Sequence, residues 1–434
     1  MDLFSRIVFK KEAVGFYGVR RRKRGPNGAP GRPAAGAARS GPATAVRCTL
    51  LAAAAISAAL LAAAAVHPAR AEGPAQKAST TAVRQLILAE KPLRGIHLSA
   101  SWGSGSQKSR RALLDKISNS VINGVVVAVK EVDGKVFIPG VAAAHKYGAY
   151  APAIANPEAM MRDFKAAGLY TAARVVVFKD KVLPQARRDL AVRLPDGGLW
   201  RANNGDTWAD PYNREVWAYV LDVAERAAEL GFDEIQFDYI RYPTEGRTSQ
   251  CRYVRPHTSA GAIQNLADFL VYARGRLERH KVKISVDVFG LTTTAGNDMG
   301  IGQDLKVLAR HADYVYPMMY PSHYYPGEYG LKDPNGQPYK VINRGRKDAF
   351  RRLGPDYAKL RPYLQDFTLG RRYGPHEVRA QLIATKHNML ESWVLWNASN
   401  RYNWEALTPQ AYRSFVCPDC EQVVPAGASP AAPK

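Results

Sequence analysis

Several cofactor and metal signatures are missing from this chain of 434 residues. No G-x-G-x-x-G or P-loop follows the first apolar strand, which argues against a nucleotide-binding doubly wound sheet. No His/Asp cluster has metal-ligand spacing. C-P-D-C at 417–420 is a single pair, and a structural zinc site takes four ligands. Neither metal nor cofactor is expected. Nucleic-acid motifs are absent too, so nucleic acid is not expected as a partner. Cysteine is scarce, with four in all. Cys48 lies ahead of an apolar run and would be lost on processing. That leaves Cys251, Cys417 and Cys420, among which a structural disulfide is expected if the chain is exported.

That apolar run, TLLAAAAISAALLAAAAV at 49–66, follows Arg47 and precedes HPARAE, with Ala69 and Ala71 in an A-x-A arrangement. It reads as a secretory signal cleaved after Ala71. It is also just long enough for an uncleaved anchor, which would be the route to membrane association. The chain is therefore expected to be exported, to periplasm, envelope or medium. Residues 1–47 form a basic, low-complexity Gly/Pro/Ala/Arg segment without periodicity. A start at Val46 would leave a signal of ordinary length.

Charge is uneven. The formal net charge is +23, and residues 1–47 hold eleven Lys/Arg against Asp2 and Glu12. With Arg70 set aside as well, the chain from 72 onward carries +13. A basic balance favours anionic partners, although a solvated basic surface has the same composition.

Beyond a linker at 72–92, a short apolar strand, a polar turn and an amphipathic helix repeat eight times. Strands are predicted at 93–100, 123–130, 169–178, 233–242, 283–290, 312–320, 360–369 and 392–399. Helices are predicted near 107–120, 157–168, 211–230, 258–280, 301–311, 342–353, 375–390 and 408–415. Gly168, Gly231 and Asn388 would end three of them. Eight such units point to an α/β protein with a (β/α)8 TIM barrel as one domain over 93–416, followed by a tail at 417–434. VKEVDGKVFIP at 129–139 reads as an inserted hairpin. The segment 179–209, with few helix signals, reads as a loop over the barrel mouth.

In such a barrel the functional side chains stand at the C-terminal ends of the strands. GFDEIQFDYIRYP at 231–243 places Asp238 near the end of an apolar strand, where an unpaired carboxylate is costly. Gln236 shares its face by the alternation of strand side chains. Asp287 lies in the fifth strand on the face of Ser285 and Phe289. Tyr316, Met318 and Tyr320 share a face of the sixth strand, and Arg174 lies in the third. The mouth would also gather Tyr239, Arg241, His323, Gln365 or Asp366, and Trp396 with Asn397. Aromatic faces and polar groups around paired carboxylates suit a sugar. Asp238 and Asp287, on neighbouring strands, are the expected acid/base pair of glycoside cleavage. Asp238 would be nucleophile or charge stabiliser, kept ionised by Arg174, and Asp287 the acid/base, or the reverse. Arg174, Gln236, Tyr239, Arg241, Met318, Tyr320, His323, Gln365 and Trp396 would bind substrate.

GFDEIQFDYIRYP, ISVDVFG, DYVYPMMYPSHY and RPYLQDF resemble the signature blocks of a glycosidase-type family catalogued as domain of unknown function 4015. The resemblance spans roughly 93–400 and implies a glycoside hydrolase-like TIM barrel without naming a substrate. Strand four is more distantly similar to the chitinase pattern F-D-G-x-D-x-D-x-E. Phe232, Asp233 and Asp238 match it, while Gln236 replaces the middle Asp and Ile240 stands in place of the acid Glu. Met318-Met319-Tyr320 resembles the chitinase M-x-Y, and Trp396 the floor tryptophan. Without that Glu another acid must serve, and Asp287 is the best placed. The block A-V-K-E at 128–131 has Ala128 where the family's D-V-K-D is acidic, which weakens the case for a role of that strand.

Blander readings stand beside these. Asp238 could be a structural partner of Arg241 or Arg174, Asp287 a member of an internal polar layer, and Tyr320 and Trp396 core aromatics. His323 could be an ordinary loop histidine, and His97 a satisfied core histidine. The function expected is hydrolysis of a polysaccharide or oligosaccharide. The alternative is a catalytically inactive glycan-binding barrel of the cell envelope.

Overall fold

Eight parallel strands pair in sequence order and close, β8 against β1. They are β1 (Arg94–Leu98), β2 (Gly124–Lys130), β3 (Tyr170–Val176), β4 (Glu234–Asp238), β5 (Lys283–Phe289), β6 (Tyr314–Met318), β7 (Tyr363–Gln365) and β8 (Trp393–Trp396). The structure, a computed structural model, describes residues 91–99, 107–154, 156–387 and 392–413. Each strand lies inside the segment predicted for it, and the architecture is the (β/α)8 TIM barrel.

The helices follow the same order: α1 (Gln107–Ser118), α2 (Ala142–Lys146), α3 (Pro157–Ala166), α4 (Leu183–Ala186), α5 (Arg214–Glu229), α6 (Ser259–Leu277), α7 (Leu305–His311), α8 (Pro338–Leu353), α9 (Pro375–His387) and α10 (Pro409–Arg413). Their starts are written locally. Asn156, Asn213, Thr258 and Asp304 each accept a backbone N–H of the first turn, at 2.8, 2.9, 3.1 and 2.9 Å, which satisfies donors the helix cannot. Gly168 and Gly231 follow α3 and α5 at φ 69° and 91°, a left-handed turn that glycine enters without a Cβ clash. Asn388 lies outside the described residues. The short α2 and α4 were not predicted. They sit in the hairpin region and in the long loop, where periodicity is too brief to read.

Strand alternation separates two apolar cores. Outward residues such as Ile96, Val125, Val127, Ile235, Phe237, Val286 and Leu395 pack against the helices. Inward residues Val126, Ala172, Tyr314, Tyr316, Tyr363 and Val394 fill the barrel. Its N-terminal end is plugged by a polar knot. Glu234, fully buried, accepts from Tyr170 at 2.7 Å and Arg361 at 2.8 Å, and also from Ser285. Buried polar groups must be paired in this way or they cost stability. The tertiary pairing that arranges this is invisible in local sequence.

Two insertions shape the C-terminal mouth. The hairpin after β2 turns at Gly134 (φ 83°) and pairs Lys130 with Val136. The segment 179–209 is more ordered than the loop expected of it. It contains α4, a 3-10 turn at 188–190 and antiparallel bridges Lys179–Trp208, Ala191–Ala209 and Arg193–Leu199. Trp200 and Trp208 are buried beneath it. Together these make a cap beside β3 and β4.

Candidate active site

The register of β4 against β5 ends at Phe237–Val286, so Asp238 and Asp287 are the next residues along two neighbouring strands. Both point inward, with Asp238 4 % and Asp287 1 % exposed. Between them sits Arg174 of β3. Its Nε donates to Asp238 Oδ2 at 2.8 Å, and its Nη2 makes a second, shorter bond to the same oxygen. Asp238 Oδ1 accepts Tyr239 N–H at 2.6 Å. Tyr239 holds φ 50°, a conformation uncommon for an aromatic residue and a place where strain collects at functional sites. Asp238 thus partners Arg174.

Asp287 is placed differently. Its Oδ2 lies 3.9 Å from Arg174 Nε, and neither of its oxygens has a hydrogen-bond partner. Burial, and then the neighbouring charge of Asp238, push its carboxyl well above the usual carboxylate range, against the pull of Arg174. Burial alone would lower the Arg174 guanidinium, but Glu131, Asp238 and Asp287 outweigh it and hold it firmly charged. One carboxylate therefore has a counter-charge and hydrogen bonds, while the other favours its protonated form. Environments that separate two acids in this manner mark the proton donor and its partner.

Around this centre the aromatic residues converge as the strand ends predict. Tyr320 packs against Trp396 (centroids 5.8 Å), His323 (5.3 Å) and Phe367 (5.4 Å). Met318 joins the same inward cluster. Gln236 accepts from Tyr363 Oη at 2.7 Å and leaves its Nε2 without a partner. Ile240 is wholly buried in the outer core, so no acid stands at that point.

Two of the expected binding residues are held by backbone groups of the loops around them. Arg241 is buried with its guanidinium against the rings of Trp208, Tyr239 and Phe289, and it donates to Tyr242 O and Thr244 Oγ1. It ties down the loop after β4. Gln365 accepts Ser322 N–H and donates to Phe367 O, which fixes the ends of β6 and β7. Asp366 faces away from the centre and accepts from Asn403. Burial raises its carboxyl to about 7.

Two residues were undervalued by sequence. Glu131, which closes the A-V-K-E block, pairs with Arg174 Nη1 at 3.0 Å and keeps a fifth of its side-chain surface exposed. Its place just past a strand end was the available signal. His97 was expected to be a satisfied core histidine, yet it is buried with neither ring nitrogen hydrogen-bonded, its centroid 6.0 Å from that of Trp396. Burial and then Arg174 lower its pKa, leaving the imidazole neutral. Among the described residues no group of three His, Cys, Asp or Glu could hold a metal. Cys251 is buried and free there, and Cys417 and Cys420 lie outside the described residues.

Residues 95–402 match the model of a family described as "putative glycosyl hydrolase domain", domain of unknown function 4015. The chain belongs to this family. Its barrel is similar to that of the PgaB (BpsB) glycoside hydrolase domain from Bordetella bronchiseptica, at 14% identity over 74% of this chain and 98% of that one, with a TM-score of 0.56. A hypothetical protein from Ruminiclostridium thermocellum ATCC 27405 is 34% identical over 44% of this chain and 97% of its own, TM-score 0.40. The α-galactosidase TtGalA from Thermus thermophilus, solved with stachyose, is 14% identical over 77% and 67%, TM-score 0.46. None of the curated proteins matches the chain. In this chain Asp238 and Asp287 stand towards the C-terminal ends of β4 and β5, the end of the barrel at which functional residues gather.

Proposed function

We propose that this family member hydrolyses a glycosidic bond of a polysaccharide, with Asp287 as proton donor and Asp238 as nucleophile or charge stabiliser. The observation that carries the reading is the pairing of an arginine-bonded carboxylate with a buried one on the next strand that has no hydrogen bond. Asp287 would protonate the leaving oxygen. The charge of Asp238 would meet the oxocarbenium-like carbon, and Arg174 would orient it. Water then completes the reaction with Asp287 as base.

Arg174 Nε lies 2.8 Å from one Oδ2 and 3.9 Å from the other. Those two oxygens can therefore be no more than about 7 Å apart, which favours the ~5–5.5 Å of a retaining enzyme over most of the inverting range. Tyr320, Trp396, Met318, His323 and Gln236 would line the sugar site. The +13 balance beyond residue 71 favours an acidic polymer. Export through the signal segment 49–66 belongs to the same proposal.

The test is reducing-sugar release from a panel of wall and exopolysaccharides by the purified chain and by Asp238→Asn and Asp287→Asn. Each substitution should lower kcat by about 10²–10⁴. Equal activity in all three proteins removes the assignment. Glycan binding without turnover in the parent chain would establish the inactive binding barrel instead.

A further inference from the structure

The cap beside β3 and β4 carries an arrangement that its own packing does not explain. Arg193 N–H donates to Arg252 O at 3.0 Å, and Arg252 N–H donates back to Arg193 O at 2.7 Å. Residues that exchange both bonds in an antiparallel pair stand directly opposite, with Cα atoms ~5.5 Å apart and side chains on one face. Like charges there are destabilising. On its other side Arg193 faces Leu199, so a row of Leu199, Arg193 and Arg252 crosses the small sheet.

The reverse face has a clear purpose. Val192 and Trp200 are buried, Val192 N–H bonds Trp208 O at 2.9 Å, and the Trp208 ring packs on Tyr239 with centroids 6.1 Å apart. That face fastens the cap to the mouth, and the arginines are left on the outer side. Arg201 and Arg247, both exposed, adjoin them: Trp200 Nε1 donates to Arg247 O at 3.0 Å, and Gly246 lies against Arg201 and Ala202.

Asp189 and Asp210 feel the charge of Arg193 from a distance, but no acid among the described residues closes an ion pair with the arginines of this face. Arg187 pairs with Asp189 and Glu215. By contrast Arg201 donates only to Gly205 O, and Arg252 to Ser249 O and Cys251 O. Among the described residues no ion pair joins Arg193, Arg201, Arg247 or Arg252 to a carboxylate. Asp196, at the turn between 193 and 199, directs Oδ1 to Gly198 N–H at 2.8 Å.

We propose that this outer face of the cap is a binding surface for a polysaccharide bearing carboxylate or sulfate groups, separate from the carboxylate centre. Fork-shaped guanidinium groups match such anions, and Leu199 offers an apolar patch to a sugar's C–H face. The choice of a glycan over another polyanion rests on the glycosidase reading. Binding and turnover are therefore measured separately.

The purified full chain is titrated with polygalacturonate, dextran sulfate, neutral dextran and phosphatidylglycerol vesicles. At least one acidic polymer should bind, neutral dextran should not, and retention should vanish between about 50 mM and about 500 mM NaCl as the charges are screened. Arg193→Gln with Arg252→Gln should weaken binding about tenfold with melting temperature unchanged or raised. Arg193→Lys with Arg252→Lys, which keeps the charge but not the fork, should recover only part of the binding lost in the Gln variant. Equal affinity in the Gln variant, equal binding to neutral dextran, or binding to vesicles alone overturns the proposal. Absence of turnover in every protein would sink the hydrolase reading and leave this one standing.

Discussion

Replacing Arg174 with Met tests the centre of the site most directly. The guanidinium is 3 % exposed and faces Glu131, Asp238 and Asp287 at once. Removing one partner of a buried ion pair costs about 3–5 kcal/mol, because the remaining charge keeps its desolvation penalty. A domain of about 300 residues unfolds with roughly 0.6 kcal/mol per kelvin of entropy, so the loss corresponds to about 5–8 °C in Tm. The loss must depend on pH. Without their counter-charge the buried carboxylates of the variant hold protons in the folded state that the unfolded chain has released at neutral pH. Its stability relative to the parent therefore falls as pH rises above the ordinary carboxylate pKa of about 4. Calorimetric melts at pH 5 and pH 8 should show the smaller deficit at pH 5, and adding Asp287→Asn should narrow the gap at pH 8. An equal deficit at both pH values, or none, would refute the electrostatic account and reduce Arg174 to packing.

Two further outcomes follow from buried groups away from the reaction centre. Asp366 titrates near 7 in the fold. Since that value is raised, the folded chain holds a proton the unfolded one has lost, and stability drains away as pH rises from about 4 to about 7, by at most ~4 kcal/mol. In urea unfolding Asp366→Asn should flatten that slope, whereas parallel slopes would show that the shift is not expressed. Gly290 follows β5 immediately, and a Cβ there would lie 2.5 Å from Tyr324 Oη and 2.6 Å from Met318 O. Gly290→Ala should cost about 1–3 kcal/mol, read as a lower urea midpoint with unchanged m-value. An unchanged midpoint would mean that β6 yields freely.

Much of the barrel is legible in the chain because its determinants are local. GVVVAVK and KISVDVF are apolar runs of strand length, and Gly168 and Gly231 mark the ends of the helices before the third and fourth strands. Alternation along a strand decides which residues share a face, so Asp238 travels with Gln236 and Asp287 with Ser285. The short α2 and α4 and the ordered cap were not readable. Their bridges join positions such as Arg193 and Arg252, whose neighbours carry no periodic signal. Arg241 and Gln365 were expected at the site because they sit at strand ends. Whether such a side chain turns to the cleft or to a loop backbone depends on partners far along the chain.

The sequence by itself determined the eightfold strand–helix alternation, the closed parallel barrel it implies, and the strand ends on which two acids and an arginine stand. Only the tertiary structure decided how their charges are paired. Arg174 reaches Asp238 across 64 residues and Glu131 from the other side, and Asp287 is left without a hydrogen-bond partner. Periodicity sets the face of a side chain, but its charge state follows from which groups the closed ring brings within a few ångströms.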